Sequence, residues 1–320
     1  MSTDTWRPRE LSSMEGRTAV VTGANSGIGF EITRELLQHG ASVIMAVRDE
    51  ERGTDAAEKL REELTTSGSL SVHRCDLAAL DSVESFATTV RDEVARLDYL
   101  FNNAGVMAIP RSETADGFER QLGINHLGHF ALTGHLLDML LADGESRVIT
   151  QSSGMHERGS IDFEDLQSER SYGKWAAYAQ SKLANLLFAF ELQRRLDDAD
   201  AETVLSLAVH PGYADTSLQT RGPRQSGSRI RTWLMQLSNR LFAQSAQNGA
   251  WPSLYAATAP ELSGGEYVGP TGLLTMRGPP GVQPPSERAN EQHTAERLWT
   301  ASEELTGVEY RLLPGENSFR

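Results

Sequence analysis

Tyr178 and Lys182 stand four residues apart in AAYAQSKLANLLFAF, residues 176–190. On a helix, positions i and i+4 share a face, so the phenol and the ammonium point the same way. A tyrosine alone, with a reference pKa of about 10, is a poor acid or base at neutral pH. A neighbouring ammonium favours the phenolate and brings the group into range for proton transfer. The chain has 30 Lys plus Arg, yet only three are lysines: Lys59, Lys174 and Lys182. Where arginine is the ordinary cation, a lysine at this spacing suggests a need for a compact charge with rotatable donors, able also to hold a ribose hydroxyl. Tyr172 is a useful contrast, because its nearby Lys174 is at i+2 and faces elsewhere. The plainer reading of Tyr178 and Lys182 is a chance pair on an amphipathic helix.

A second chemical signal is TGANSGIG, with Gly23, Gly27 and Gly29. Glycine allows positive φ and lets backbone approach a pyrophosphate, while a following helix offers free N–H groups and the positive end of its dipole. Structural turns also use glycine. Here, however, the turn lies at the first strand–helix junction of a repeating β-α pattern, where dinucleotide folds place it.

The end of the second strand discriminates between nicotinamide cofactors. Val47 stands where an acidic residue would bind a ribose 2′-hydroxyl, and Arg48 follows it. Arginine's planar fork suits a 2′-phosphate, which favours NADP(H). The alternative is that Arg48 pairs with Asp49 or Glu51 and that Asp49 serves NAD(H).

These residues need elements to position them. RTAVVTGANSGIGFEITRELLQHG reads as a strand, a glycine turn and a helix. ASVIMAVRD, LSVHRCDL, LDYLFNNAG, SRVITQSS and TVLSLAVHPG read as further strands, separated by helical periods. One long helix is expected from about Gly117 to Leu141, and another around Tyr178 to Leu196. The alternation predicts an α/β fold: one Rossmann-type domain, doubly wound, with helices on both faces of a parallel sheet. The domain is expected over residues 15–310, between tails at 1–14 and 311–320. Stretches 219–229 and 278–286 read as loops.

Composition limits the alternatives. The net charge of −14 argues against nucleic acid as a partner. No run approaches the ~18 apolar residues of a membrane span, and the start has no secretory h-region. A single cysteine, Cys75, excludes an intrachain disulfide and fits a cytoplasmic setting. Abundant carboxylates with little lysine suggest a halophilic source, where salt screens self-repulsion; a GC-rich genome would also favour arginine. His126, His129 and His135 lack acidic or cysteine partners at metal spacing, so no metal is expected.

TGANSGIG, NNAG, Asn125, SS, YAQSK and HPG occur in one order along the chain. Together they resemble the short-chain dehydrogenase/reductase family over roughly residues 15–310. NHLGHF, YAQSKLAN, PSLYAAT and RLWTASEELTG are similar to its retinol dehydrogenase and WW-domain oxidoreductase branch. The resemblance implies that Tyr178 is the general acid or base, that Lys182 tunes it and binds the nicotinamide ribose, and that Ser153 polarises the carbonyl. It implies that Asn125 supports a water leading from Lys182. Gly23, Ser26, Gly27, Ile28 and Gly29 would surround the phosphates. Asp76 and Leu77 would face the adenine, with Asn103, Ala104 and Gly105 beside the adenosine. Pro211, Gly212 and Thr216 would close over the nicotinamide. Ser152 remains an alternative to Ser153, since one step along a strand reverses the side chain.

The implied reaction is hydride transfer between an aldehyde or ketone and its alcohol, on a lipophilic small-molecule substrate. A protochlorophyllide-type C=C reduction and a non-catalytic NADP(H) sensor are the alternatives. Residues 219–250 are expected to form a substrate lid; within them RGPRQSGSRIRTWLMQLSNRLF also reads as a core-covering amphipathic helix or a membrane contact. A homodimer or homotetramer is implied, through the helices carrying Asn125 and Tyr178.

Overall fold

The computed structural model describes residues 6–142, 144–212, 245–272 and 275–312. In chain order these form β1 (Thr18–Thr22), α1 (Gly27–Gln38), β2 (Ser42–Val47), α2 (Glu50–Glu63), β3 (Leu70–Arg74), α3 (Leu80–Glu93) and β4 (Tyr99–Asn102). There follow α4 (Arg120–Leu122), a π-helical turn (Gly123–Leu127), α5 (Gly128–His135), α6 (Leu137–Leu140), β5 (Ser146–Gln151) and α7 (Lys174–Asp198). The chain continues through β6 (Val204–Val209), α8 (Ala246–Thr258), β7 (Tyr267–Pro270), β8 (Pro280–Gln283) and α9 (Gln292–Thr306).

The strands make one sheet in the order β3-β2-β1-β4-β5-β6-β7-β8. Every pairing is parallel except β7 with β8. Strand order reverses between β1 and β4, so a crevice opens beyond their carboxyl ends, where such sheets bind ligands. The expected all-parallel sheet therefore gains an antiparallel edge strand. It lies inside 278–286, which reads as loop because of its prolines. Pro280 begins β8 on the sheet edge, where a missing N–H costs no ladder bond.

Side-chain alternation explains the two cores. Ala19, Val21, Val43, Met45 and Val47 face α1 and α8, while Val20, Ile44 and Ala46 belong to the core on the other face. On that face α3 buries Val83, Phe86, Ala87 and Val90, an i, i+3, i+4, i+7 stripe. The α7 helix is buried on all sides from Ala177 to Gln193.

The last helix explains that burial. Trp299 of α9 stacks on Phe188 with ring centroids 5.9 Å apart, and the Arg195 guanidinium lies 4.4 Å from the Trp299 ring centre. His126 Nε2 donates to Ser302 Oγ at 2.8 Å, and Tyr310 donates to the Phe130 carbonyl at 2.7 Å. These contacts lie on the helices of Asn125 and Tyr178, through which an oligomer is expected from the sequence. At the other end, the stretch read as an N-terminal tail contributes buried Trp6, Leu11 and Met14, with Trp6 edge-on to Tyr255 of α8. Residues 219–244 of the expected lid lie outside the described residues, and 246–250 begin α8, which packs on α1 and the sheet. No helix among the described residues is long and apolar enough to cross a membrane.

Candidate active site

Gly23 has φ +68° and Gly27 has φ +59°, so the turn after β1 uses the left-handed region twice. At Gly29 the requirement is space: a Cβ would sit 2.5 Å from the Gly23 carbonyl oxygen. Ser26 precedes α1 without a capping bond from its side chain, and the first turn holds no acidic residue. The first N–H groups of α1 consequently face the crevice with no carboxylate competing for them.

A cavity of about 640 Å³ runs from this turn to Tyr178 and Lys182. At its adenosine-side end, Ala46 and Arg48 line the wall. Val47, the position read as the cofactor selector, instead faces the core. Asp49 caps α2, accepting from Arg52 N–H at 3.2 Å. Arg48 forms no ion pair with Asp49 or Glu51. Arg52 lines the same wall from the first turn of α2 and escaped the sequence reading.

Asp76 and Leu77 also line the cavity, as do Asn103, Ala104 and Gly105. Asp76 Oδ1 accepts from Ala78 N–H at 3.1 Å, so the aspartate makes a local turn as well as part of the wall. The β1 and β4 ends are joined by Thr22, whose Oγ1 accepts from Asn103 N–H and Ala104 N–H, each at 2.9 Å. Asn103 Nδ2 donates to the Thr22 carbonyl at 2.8 Å. Cys75 lines the cavity too, but burial pushes its thiol up to about 12, leaving it unreactive.

The catalytic-side residues converge from three elements. Asn125 lies in the π-helical turn, where the Gly128 N–H reaches the Gly123 carbonyl five residues back. Its side chain is fully buried and clamps Val106, accepting from the backbone N–H at 2.8 Å and donating to the carbonyl at 3.0 Å. Asn125 Nδ2 also donates to Ser181 Oγ at 2.9 Å, tying the turn to α7 beside Lys182. His129 donates to the Asn125 carbonyl at 3.0 Å, and its other nitrogen meets Thr22 Oγ1 at 2.9 Å.

The two serines after β5 separate clearly. Ser152 turns inward, donating to the Lys182 carbonyl at 2.7 Å. Both serines border the cavity; the Ser153 hydroxyl accepts from Met155 N–H at 3.2 Å and acts on the Tyr178 phenol. Tyr178 and Lys182 face the same cavity, with the ammonium 5.9 Å from the tyrosine ring centre. Lys182 Nζ donates to the Gln151 carbonyl at 3.0 Å, which also accepts from Asn185 Nδ2 at 2.9 Å.

The electrostatics differ from the expectation. Burial pushes the Tyr178 phenol up to about 12, with the Ser153 hydrogen bond opposing that rise. Burial also pushes Lys182 down to about 7. An ammonium that is itself close to losing its proton stabilises a phenolate poorly, so desolvation dominates the pair. The predicted lowering of the tyrosine by its neighbour is absent from this protein environment.

Beyond the phenol, Met107, Met155 and Trp175 give the cavity an apolar side, with Glu157 exposed at the rim. His210, Pro211, Gly212, Thr275 and Met276 close the opposite side. Thr216 lies outside the described residues. Among the described residues no group of three or more His, Cys, Asp or Glu side chains could hold a metal.

Known proteins resemble this chain in sequence and fold. The family described as short chain dehydrogenase matches residues 17–226. Human retinol dehydrogenase 13 is 42% identical over 301 residues, covering 93% of this chain and 87% of the relative. Mouse polyprenol dehydrogenase is 43% identical over 309 residues, covering 95% and 88%. The crystal structure of an uncharacterised protein from Mycobacterium paratuberculosis superposes with a TM-score of 0.78 at 42% identity, covering 95% of this chain and 98% of that one. An NADP complex of Pseudomonas aeruginosa RhlG gives 0.60 at 25% identity, covering 80% and 94%. The chain belongs to the short-chain dehydrogenase/reductase family, in its retinol dehydrogenase-like branch, and is an oxidoreductase of the CH–OH/C=O couple that uses a nicotinamide dinucleotide.

Proposed function

We propose that the protein interconverts a lipophilic aldehyde or ketone and its alcohol with NADP(H), using Tyr178 as the proton donor and acceptor. The observation that carries this reading is the meeting of Ser153, Tyr178 and Lys182 at one end of a cavity whose other end is the glycine turn. The residues fit a dinucleotide. Gly23 and Gly29 keep the phosphate end free of side chains, and the α1 N-terminus provides donors. The bound dinucleotide would supply or accept the hydride.

At neutral pH a phenol held near 12 keeps its proton, which suits the acid in the direction of carbonyl reduction. Ser153 offers a hydroxyl beside that phenol, so two neutral donors can meet the oxygen on which negative charge develops. Lys182 would hold the nicotinamide ribose and return the proton to Tyr178, a task suited by a value near 7. Asn125 fixes the loop at Val106 and the helix at Ser181, setting the depth of the floor. Arg48 and Arg52 support NADP(H), since both line the wall; Asp49 lines it too, with one oxygen accepting from Arg52 N–H. The apolar side formed by Met107, Met155 and Trp175 supports a lipophilic substrate, in keeping with the names of the retinol and polyprenol dehydrogenases.

The test is NADPH oxidation with aliphatic, aromatic and isoprenoid aldehydes and ketones, run beside Tyr178→Phe. Turnover by the native protein that Tyr178→Phe lacks supports the reading. Tight NADPH binding with no turnover by either protein would overturn it.

A further inference from the structure

Two histidines take no part in the proposed chemistry, yet each joins a wall of the cleft to β8 or to the segment that follows it. Gly212 N–H donates to His210 Nδ1 at 3.2 Å. A backbone N–H can only donate, so Nδ1 is an acceptor and Nε2 carries the proton in the neutral ring. Nε2 in turn lies 2.9 Å from Gln283 Oε1, on β8. Pro211 has no N–H, so Gly212 supplies the one backbone donor of the Pro211–Gly212 wall.

His156 has the opposite tautomer. Its Nδ1 faces the Ser153 carbonyl at 2.8 Å and must donate there. Its Nε2 accepts from Ser286 N–H at 3.3 Å, three residues beyond the end of β8. Tyr267 of β7 lies between the rings, stacked on His210 at 5.0 Å and edge-on to His156 at 5.3 Å. The space is specific: a Cβ at Gly269 would come within 1.9 Å of His210 Nε2. Both imidazoles are buried, and burial holds both below the ordinary histidine value, hence neutral.

We propose that His210 and His156 are positioning residues through which the β7–β8 hairpin fixes the separation of the Gly212 and Ser153 walls of the cleft. Gly212 borders the space assigned to the dinucleotide, and Ser153 borders the cavity with the Tyr178 phenol. The two arms therefore govern different steps. Loss of the His210 arm loosens dinucleotide binding, whereas loss of the His156 arm misplaces Ser153 and slows turnover. This assignment of steps rests on the hydride-transfer reading above.

The experiment uses paired substitutions that each keep one half of the imidazole's bonding. His210→Asn retains an acceptor at the δ position for Gly212 N–H; His210→Gln retains reach to Gln283 but loses that acceptor. The readouts are the NADPH dissociation constant by fluorescence, kcat, and hydrogen exchange at the Gly212 amide. His210→Gln is expected to weaken NADPH about three- to tenfold, the effect of one neutral hydrogen bond. It should also speed Gly212 exchange, while His210→Asn recovers most of both losses. His156→Gln should lower kcat with little change in NADPH affinity, and His156→Asn, which can still donate to Ser153, should recover it. Gln283→Leu, on the edge strand, provides a less disruptive route to loosening the His210 arm. Equal losses in the Asn and Gln variants, or no change in either, would overturn the proposal. Should the native protein neither bind NADPH nor turn over, the functional reading fails separately, and Gly212 exchange still decides whether His210 anchors the wall.

Discussion

The two ends of the cleft are built by different means. The adenosine-side end relies on backbone: positive-φ glycines, the α1 N-terminus, and arginines exposed to solvent. The catalytic end relies on buried polar side chains, each committed to partners distant in sequence. Asn125 reaches Val106 and Ser181, Lys182 reaches Gln151, and His210 reaches β8. A surface built on exposed charge is adjustable and sensitive to salt. One built on buried hydrogen bonds is rigid, and removal of any member leaves partners unsatisfied. Binding selectivity and proton transfer consequently depend on physically separable sets of residues.

The largest effect should come from the buried end. Tyr178→Phe removes the proton donor and is expected to lower kcat by about 10²–10⁴-fold, with NADPH affinity nearly unchanged. Lys182→Met should lower kcat and weaken NADPH together, because Lys182 acts on both. If Tyr178→Phe instead lost its NADPH affinity, the proposed separation between the two ends would fail.

At the exposed end, replacing Arg48 and Arg52 together with serine should reduce preference for NADPH over NADH by about 10–100-fold, from two charge-assisted contacts weakened by solvent. The kcat with saturating cofactor should stay close to native. Steady-state kinetics with both cofactors provides the measurement, and an unchanged NADPH/NADH ratio would remove both arginines from the 2′-phosphate site.

Acidity should damage the buried end first. His126 is held at about 3, and His129 and His210 at about 4, all by burial, against an ordinary value of 6.5. Below pH 6.5 the unfolded chain takes up protons that the folded chain refuses. Their contribution to stability is complete above 6.5 and is lost as pH falls toward 4. Lys182 adds dependence on the alkaline side: its folded value of about 7 lies below the ordinary 10.5, so stability rises with pH across that interval. The slope approaches about 1.4 kcal/mol per pH unit from this one group. Thermal melts of Lys182→Met from pH 7 to 10 should be flatter than those of the native chain. Equal slopes would show that Lys182 is not the source.

Sequence legibility follows the same division. The glycine turn can be read locally because positive φ and close backbone approach demand glycine. Tyr178 and Lys182 can be read because helical spacing converts sequence separation into direction. Arg52 was not legible in the same way: it stands in the first turn of α2 while Arg48 precedes the Asp49 cap, so no helical period links the two. What remained hidden was non-local. His210 and Gln283 meet across 73 positions, and His156 and Ser286 across 130. No period marks such pairs. The π-helical turn at Asn125 carries no compositional signature, and the prolines around β8 disguise an edge strand as loop. The sign of the Tyr178 shift was also misjudged, because burial of both partners, invisible in sequence, outweighs their charge interaction.

Salt should divide the two ends with the smallest but most direct effect. At 0.1 M ionic strength the Debye length is about 10 Å, and at 1 M about 3 Å, so attraction between exposed arginines and a phosphate weakens across that range. Buried hydrogen bonds at Ser153 and Lys182 are screened much less. NADPH affinity should therefore fall several-fold from 0.1 to 1 M salt, while kcat at saturating NADPH changes little. The net charge of −14 gives an opposing effect on the whole chain, since screening relieves its self-repulsion and should raise the melting temperature over the same range. In the Arg48→Ser, Arg52→Ser double variant the salt dependence of NADPH affinity should flatten while the rise in melting temperature persists. A salt response of affinity identical to the native one would show that these arginines do not attract the cofactor's phosphate, and the contrast between an exposed binding wall and a buried catalytic wall would lose its electrostatic basis.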